Sequence, residues 1–109
     1  MGRTFRSVKS SVVDLHPFFL SLKKALRQQS LSIDVYIFGS ALYERFPNDI
    51  DILVIYTCYD ELLLIKSILF PISLEYPLDV YYMTSEEASE LDFINTTKAV
   101  PLETVAKVE

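Results

Sequence analysis

The chain has 109 residues, half of them hydrophobic, and a formal net charge of −5 at pH 7. This length and apolar content are typical of one small domain with its own core, which excludes an intrinsically disordered protein. No apolar run approaches the roughly 18 residues that a membrane-spanning helix needs, so we expect no membrane association.

The charges are distributed unevenly. Residues 1–30 carry six basic residues and one acidic residue, whereas residues 31–109 carry four basic and fourteen acidic residues. Binding to nucleic acid draws much of its affinity from the neutralisation of phosphates by Lys and Arg, so the acidic remainder argues against DNA or RNA as a tightly held acceptor. The single cysteine, Cys58, cannot form a disulfide within the chain, and we expect a cytoplasmic protein.

The N-terminal part predicts an arm, a helix, a strand and a short helix. Residues 1–11 are polar and basic and are expected to form a flexible arm. From Asp14 to Leu26 apolar residues recur at three- and four-residue intervals, which predicts an amphipathic helix capped by Asp14. Residues 33–38 are rich in β-formers and predict the first strand, and residues 41–46 predict a short helix.

The middle of the chain predicts two further strands around a helix. Residues 49–56 form an apolar run that opens with two acids and predicts the second strand. After it, Asp60 is expected to cap a helix that Pro71 ends. Residues 78–83 then predict the third strand.

The C-terminal part has the weakest pattern. Thr84 and Glu87 have the spacing of a capping box, which predicts a short acidic helix. Residues 96–109 show little periodicity and are expected to form a weakly patterned tail. Because no repeat or linker divides the sequence, residues 1–109 are expected to form a single domain.

Two acidic residues open the second predicted strand. Side chains alternate between the faces of a strand, so Asp49 and Asp51 are expected to lie side by side while Ile50 points the other way. Adjacent carboxylates repel each other unless a cation lies between them. Oxygen ligands of this kind suit Mg²⁺, with Mn²⁺ as an alternative.

A Gly-Ser pair ends the first predicted strand. Gly39 allows a backbone conformation and a close approach that a side chain would block, so Gly39 and Ser40 can offer amide and hydroxyl donors to a phosphate. A short helix after this turn would add the amides of its first turn. Together with Asp49 and Asp51, the turn indicates a site for a metal and a nucleotide.

These residues form a larger pattern. Gly39-Ser40 is followed by a loop, by Asp49-x-Asp51 on a strand and by a lone Asp79 on a later strand. The pattern resembles the DNA polymerase beta-like nucleotidyltransferase superfamily, and the short length is similar to that of its minimal nucleotidyltransferases. The resemblance implies a two-layer α/β fold with a mixed sheet of three or four strands, helices mainly on one face and the three carboxylates on one rim.

The resemblance also implies an activity and roles for these residues. It implies an enzyme that moves a nucleotide, in the first instance AMP from ATP, onto an acceptor hydroxyl. Asp49 and Asp51 would hold two Mg²⁺ ions, and Asp79 would bind the catalytic metal and help to take the acceptor proton. Gly39 and Ser40 would hold the β- and γ-phosphates.

Minimal members of the superfamily commonly work with a separate helical protein of the HEPN type as a toxin–antitoxin pair. By resemblance, this chain would be the antitoxin and would adenylylate a hydroxyl of that partner.

The connector at residues 41–48 is shorter than in many members, and Arg45 is its only basic residue. This motivates an alternative, a catalytically inactive binding module that neutralises a partner by contact. A small-molecule (antibiotic) nucleotidyltransferase is a third hypothesis.

Overall fold

One mixed sheet organises the computed structural model, which describes residues 15–29, 33–44 and 47–106. Within those ranges the sheet has four strands. They are β1 Asp34–Phe38, β2 Ile50–Tyr56, β3 Leu78–Thr84 and β4 Val100–Pro101. Their order is β3-β2-β1-β4, with β1 antiparallel to β2 and β4 and with β2 parallel to β3. The predicted α/β class and mixed sheet are therefore confirmed.

Helices lie on both faces of this sheet. In the described ranges they are α1 His16–Gln28, α2 Tyr59–Ser73, α3 Ser85–Glu90, α4 Phe93–Thr97 and α5 Leu102–Val105, with a 3₁₀ turn at Gly39–Leu42. The two long helices and α5 cover one face, whereas the short α3 and α4 cover part of the other. None of the helices in the described part of the chain is long and apolar enough to cross a bilayer.

The main core lies between the first of these faces and the long helices. Alternate residues of β1 and β2, including Ile37 and Ile52, are buried there against Leu22 of α1 and Ile65 of α2. Each such side chain contributes about 1.5–3 kcal/mol relative to an exposed position. This packing holds α1 and α2 against one face of the sheet and leaves the intervening strand residues, among them Asp51, on the opposite face.

The helix boundaries differ from the predictions in three ways. The N-cap of α1 is Leu15, without a side-chain hydrogen bond, and the predicted cap Asp14 lies outside the described residues. The N-cap of α2 is Cys58, so Asp60 stands in the first turn and does not cap the helix. Pro71 does not end α2, which continues to Ser73, because a proline so near the C-terminus removes only one backbone hydrogen bond of the helix.

The start of α3 agrees with its prediction. Thr84 Oγ1 accepts a hydrogen bond from the Glu87 backbone N–H at 3.2 Å, and Glu87 Oε1 accepts one from the Thr84 backbone N–H at 2.9 Å. The predicted capping box is confirmed.

The C-terminal segment, expected as a weakly patterned tail, folds onto the sheet as far as residue 106. Residues 100–101 form β4 on the edge of the sheet, and Leu102 and Ala106 are buried in the main core. The predicted short helix at 41–46 is replaced by the 3₁₀ turn, and residues 45 and 46 lie outside the described ranges. The predicted basic arm at 1–11 also lies outside them.

Candidate functional site

A row of side chains crosses the sheet at Asp51. In the register of the strands, Asp51 on β2 is opposite Phe38 on β1 and opposite Asp79 on β3. Residues directly opposite each other point to the same face of a sheet. Asp51 and Asp79 therefore share the face turned away from α1 and α2, so the parallel pairing brings together two of the three predicted carboxylates.

Asp49 takes a less central position than predicted. Strand β2 begins at Ile50, so Asp49 stands just before it and is exposed. Its charge still acts on Asp51, although less than the charge of Asp79 does. Among the described residues, no group of three or more His, Cys, Asp or Glu side chains is arranged to hold a metal ion. The paired carboxylates of Asp51 and Asp79 are thus the centre of the site.

The Gly-Ser turn packs directly against Asp51. Gly39 has a φ of +76°, which glycine adopts readily and L-residues rarely do. A Cβ atom built on Gly39 would overlap Asp51 Oδ2 and would lie 3.1 Å from Asp51 Cγ. The Ser40 carbonyl accepts hydrogen bonds from the N–H groups of Tyr43 at 3.0 Å and Glu44 at 2.7 Å, which closes the turn. Glycine is therefore required both by its conformation and by the approach of the carboxylate.

The surroundings disfavour a negative charge on Asp51. Burial raises the pKa of its carboxyl group above the usual value of 3.8, and the charges of Asp79 and then Asp49 raise it further, together with a hydrogen-bond interaction with Asp79. A cation between the carboxylates or a proton on one of them would relieve this repulsion.

An aromatic cluster flanks the carboxylates on the same face. Tyr81 follows Asp79 by two residues on β3, and its hydroxyl lies 3.4 Å from Asp79 Oδ2. Its ring packs at centroid distances of 5.4 Å from Phe38 and 5.7 Å from Phe93, and these two rings are 5.2 Å apart. Negative charge on Asp79, with smaller effects of desolvation and of Asp51, raises the pKa of the Tyr81 hydroxyl, which keeps the phenol protonated. Only the two-residue spacing from Asp79 could have indicated Tyr81 in the sequence.

A groove lies farther along the same face. It has a volume of about 870 Å³ and is bordered by the sheet and by α3 and α4. Asp34, Tyr36 and Ile55 form its floor, and none of the three predicted carboxylates lines it. The groove is therefore a separate surface from the carboxylate row.

Comparison of the chain with protein-family models, with curated proteins and with solved structures gives no significant match. The nucleotidyltransferase resemblance thus depends on the motif residues of this chain. The geometry that bears on it is the contact of the Gly39 turn with Asp51 and the pairing of Asp51 with Asp79.

The contact between Gly39 and Asp51 predicts a coupled pair of substitutions. Gly39→Ala should lower the free energy of unfolding in two parts. The positive φ costs about 1–2 kcal/mol, and the displacement of the Asp51 carboxylate by the new methyl group adds a second cost. In an Asp51→Ala background the second part disappears, so urea denaturation should show a coupling on the order of 1 kcal/mol. Costs that add within about 0.5 kcal/mol would contradict the contact.

The raised pKa of Asp51 predicts a stabilising substitution. The folded protein holds a proton on Asp51 more tightly than the unfolded chain, so its stability falls as the pH rises through the unfolded value of 3.8 to the raised folded value. Asp51→Asn should therefore have a higher unfolding midpoint than the wild type at pH 7, and the gain should vanish below the unfolded value. Asp34→Asn, at an exposed position of β1, is the matched control. Equal midpoints of Asp51→Asn and wild type at pH 7, in metal-free buffer, would contradict the repulsion.

Proposed function

We propose that the chain is a metal-dependent nucleotidyltransferase that moves a nucleotide, AMP in the first instance, from a triphosphate to an acceptor hydroxyl. The observation that carries this proposal is the packing of the Gly39 turn against Asp51, which is paired with Asp79 on one open sheet face. A turn that can donate to phosphate and a pair of acids that favours a cation are the two parts that this chemistry needs in contact.

The donor chemistry of the row fits a hard divalent cation. Asp51 and Asp79 offer carboxylate oxygens only, which suits Mg²⁺ or Mn²⁺. Burial raises the pKa of Asp51, and the charges of Asp79 and Asp49 raise it further, so a cation beside this carboxylate would be stabilised. In this proposal Asp51 and Asp79 would hold the metal ions, and Asp49, just before β2, would supply a further oxygen. When bound, the two metal ions of the proposed enzyme supply the counter-charge that lets a triphosphate approach three acids.

The residues of the chain then have distinct tasks. In nucleotidyl transfer an acceptor oxygen forms a bond to the α-phosphorus, the bond from that phosphorus to the bridging oxygen breaks, and pyrophosphate leaves. Gly39 and Ser40 would hold the β- and γ-phosphates next to Asp51, which keeps the leaving group in line. Asp79, on the exposed edge strand, would take the proton of the acceptor hydroxyl, with Tyr81 beside it to orient the carboxylate.

For the acceptor we propose a hydroxyl on a helical partner protein of the HEPN type, in the cytoplasm, with this chain as the antitoxin. The edge position of β3 supports a macromolecular acceptor, because Asp79 is exposed and a large partner can reach it. A small-molecule acceptor, such as an antibiotic, remains the less favoured version.

The test is transfer of label from ATP labelled in its α-phosphate, with Mg²⁺, to the protein that co-purifies with this chain. Wild type should label the partner. The double variant Asp49→Asn, Asp51→Asn should transfer label about 100-fold more slowly or worse, which corresponds to an activation free energy higher by roughly 2.7 kcal/mol. Asp34→Asn, outside the site, should retain the wild-type rate. Label that persists in the double variant would contradict the assignment of these carboxylates.

A second function is favoured by one observation, the absence of a three-ligand metal group among the described residues. It is a catalytically inactive module that neutralises its partner by contact. The double variant separates the two functions, because an enzyme loses neutralisation together with label transfer, whereas a contact module shows no transfer in the wild type and keeps neutralisation in the variant.

A further inference from the structure

Helix α2 has an apolar face that nothing in the described structure covers. Four of its large side chains, or those directly after it, are exposed: Tyr59 by 68%, Leu63 by 49%, Phe70 by 64% and Leu74 by 71%. Residues separated by four or seven positions lie on one side of a helix, so the four form a continuous line, which we call the α2 stripe. Large apolar side chains rarely line up on a solvated helix, and an exposed patch of this kind marks an interface.

The α2 stripe is distinct from the face that anchors the helix. Ile65 and Leu69, on the other side of α2, are buried in the main core. Lys66 borders the stripe, but its Nζ lies 5.2 Å from the ring centroid of Tyr82 on β3, so its charge is held at the flank. Helix α2 is therefore apolar on two sides, and packing within the described residues accounts for only one.

The spacing of the stripe is the same read in either direction. Tyr59 and Leu63 are separated by four positions, Phe70 and Leu74 by four, and the two pairs by seven. A twofold axis that crosses α2 between residues 66 and 67 therefore places Tyr59 opposite Leu74 of a second copy and Leu63 opposite its Phe70. A surface that maps onto itself in this way is self-complementary, which is the requirement for a symmetric dimer.

Helix polarity favours the antiparallel arrangement. With the axis between residues 66 and 67, Asp60 is level with Ser73 of the second copy, and the two Lys66 side chains are nearly level with each other, each held toward Tyr82 of its own copy. A parallel arrangement would in addition set Asp60 level with Asp60 of the second copy, which is unfavourable. Antiparallel helices also place the positive N-terminal end of one α2 beside the negative C-terminal end of the other.

The exposed area of the stripe reaches the lower limit for a specific interface. Burial of an aromatic side chain removes about 150–250 Å² from solvent, so Tyr59 and Phe70, exposed by about two-thirds, each still offer roughly 100–170 Å². With the two leucines, two copies of the stripe come to roughly 1,000 Å², the size from which specific interfaces are found.

We infer that the α2 stripe binds a second copy of this chain and forms a twofold dimer with antiparallel α2 helices. Because α2 covers the sheet face opposite to Asp51 and Asp79, the dimer is back to back and leaves both carboxylate rows open. The inference does not depend on nucleotidyl transfer. Measurements of mass and of transferase activity would therefore distinguish an inactive dimer from an active monomer.

The test is the mass of the full chain in solution, measured by light scattering over a range of concentrations. Wild type should have twice the 12.5 kDa mass of the chain. Phe70→Glu and Leu63→Lys, each tested alone, should raise the dissociation constant of the dimer on the order of a thousandfold, because each substitution removes a central contact twice. Leu91→Lys, at another exposed apolar residue, is the matched control and should remain a dimer. Circular dichroism should show that all variants are folded.

The double variant Leu63→Lys, Phe70→Glu tests the register. In the antiparallel dimer each lysine faces a glutamate of the other copy, so the double variant should dimerise more tightly than either single variant. A parallel pairing would gain nothing from it. A wild-type protein that is monomeric at all concentrations would overturn the inference. The occupant of the stripe would then be the chain's own N-terminal segment or a different protein in the cell. A dimer that both single variants leave intact would also overturn the inference.

Discussion

The candidate site depends on one electrostatic constraint, the confinement of the Asp51 carboxylate between the Gly39 turn and Asp79. The parallel register of β2 and β3 places the two acids opposite each other, and the turn after β1 comes too close for any side chain at Gly39. Asp51 therefore cannot move away from its acidic neighbour without disturbing the turn. The sheet holds in place a repulsion that an unconstrained pair of carboxylates would relieve by separating.

Hydrophobic packing in the rest of the fold offsets the repulsion between Asp51 and Asp79. The residues of β2 that alternate with Asp51 are buried against α1 and α2, and Ile52, its direct neighbour, is fully buried. A shift of β2 by one residue would exchange the core and site faces, so the hydrophobic packing also fixes the register that pairs Asp51 with Asp79. The C-terminal segment adds to the same core through Leu102. Core and site are thus opposite faces of the same strands.

The sequence was sufficient to predict the elements whose cause is local. The three long strands, the capping box of Thr84 and Glu87 and the turn at Gly39 all follow from patterns within a few residues, whereas the approach of Asp51 to Gly39 does not. Strand β4 was missed because two residues carry no periodicity and the strand exists only through its pairing with β1. The convergence of Asp51 with Asp79 was implied by a family resemblance, but its geometric cause, the parallel register, is a long-range property. The contribution of Phe93 could not be predicted, because a helix that follows β3 brings its ring to Tyr81.

The α2 stripe and the carboxylate row lie on opposite sides of the sheet, so self-association and cation binding can occur together. Divalent-cation binding is central to the function proposed for the row, and Mn²⁺ binding measured by electron paramagnetic resonance tests it most directly. Wild type and Asp34→Asn should bind Mn²⁺, whereas Asp51→Asn and Asp79→Asn should each lose most of that binding while remaining folded. Equal Mn²⁺ binding by all four proteins, or none by the wild type, would contradict the assignment of this row as a metal site.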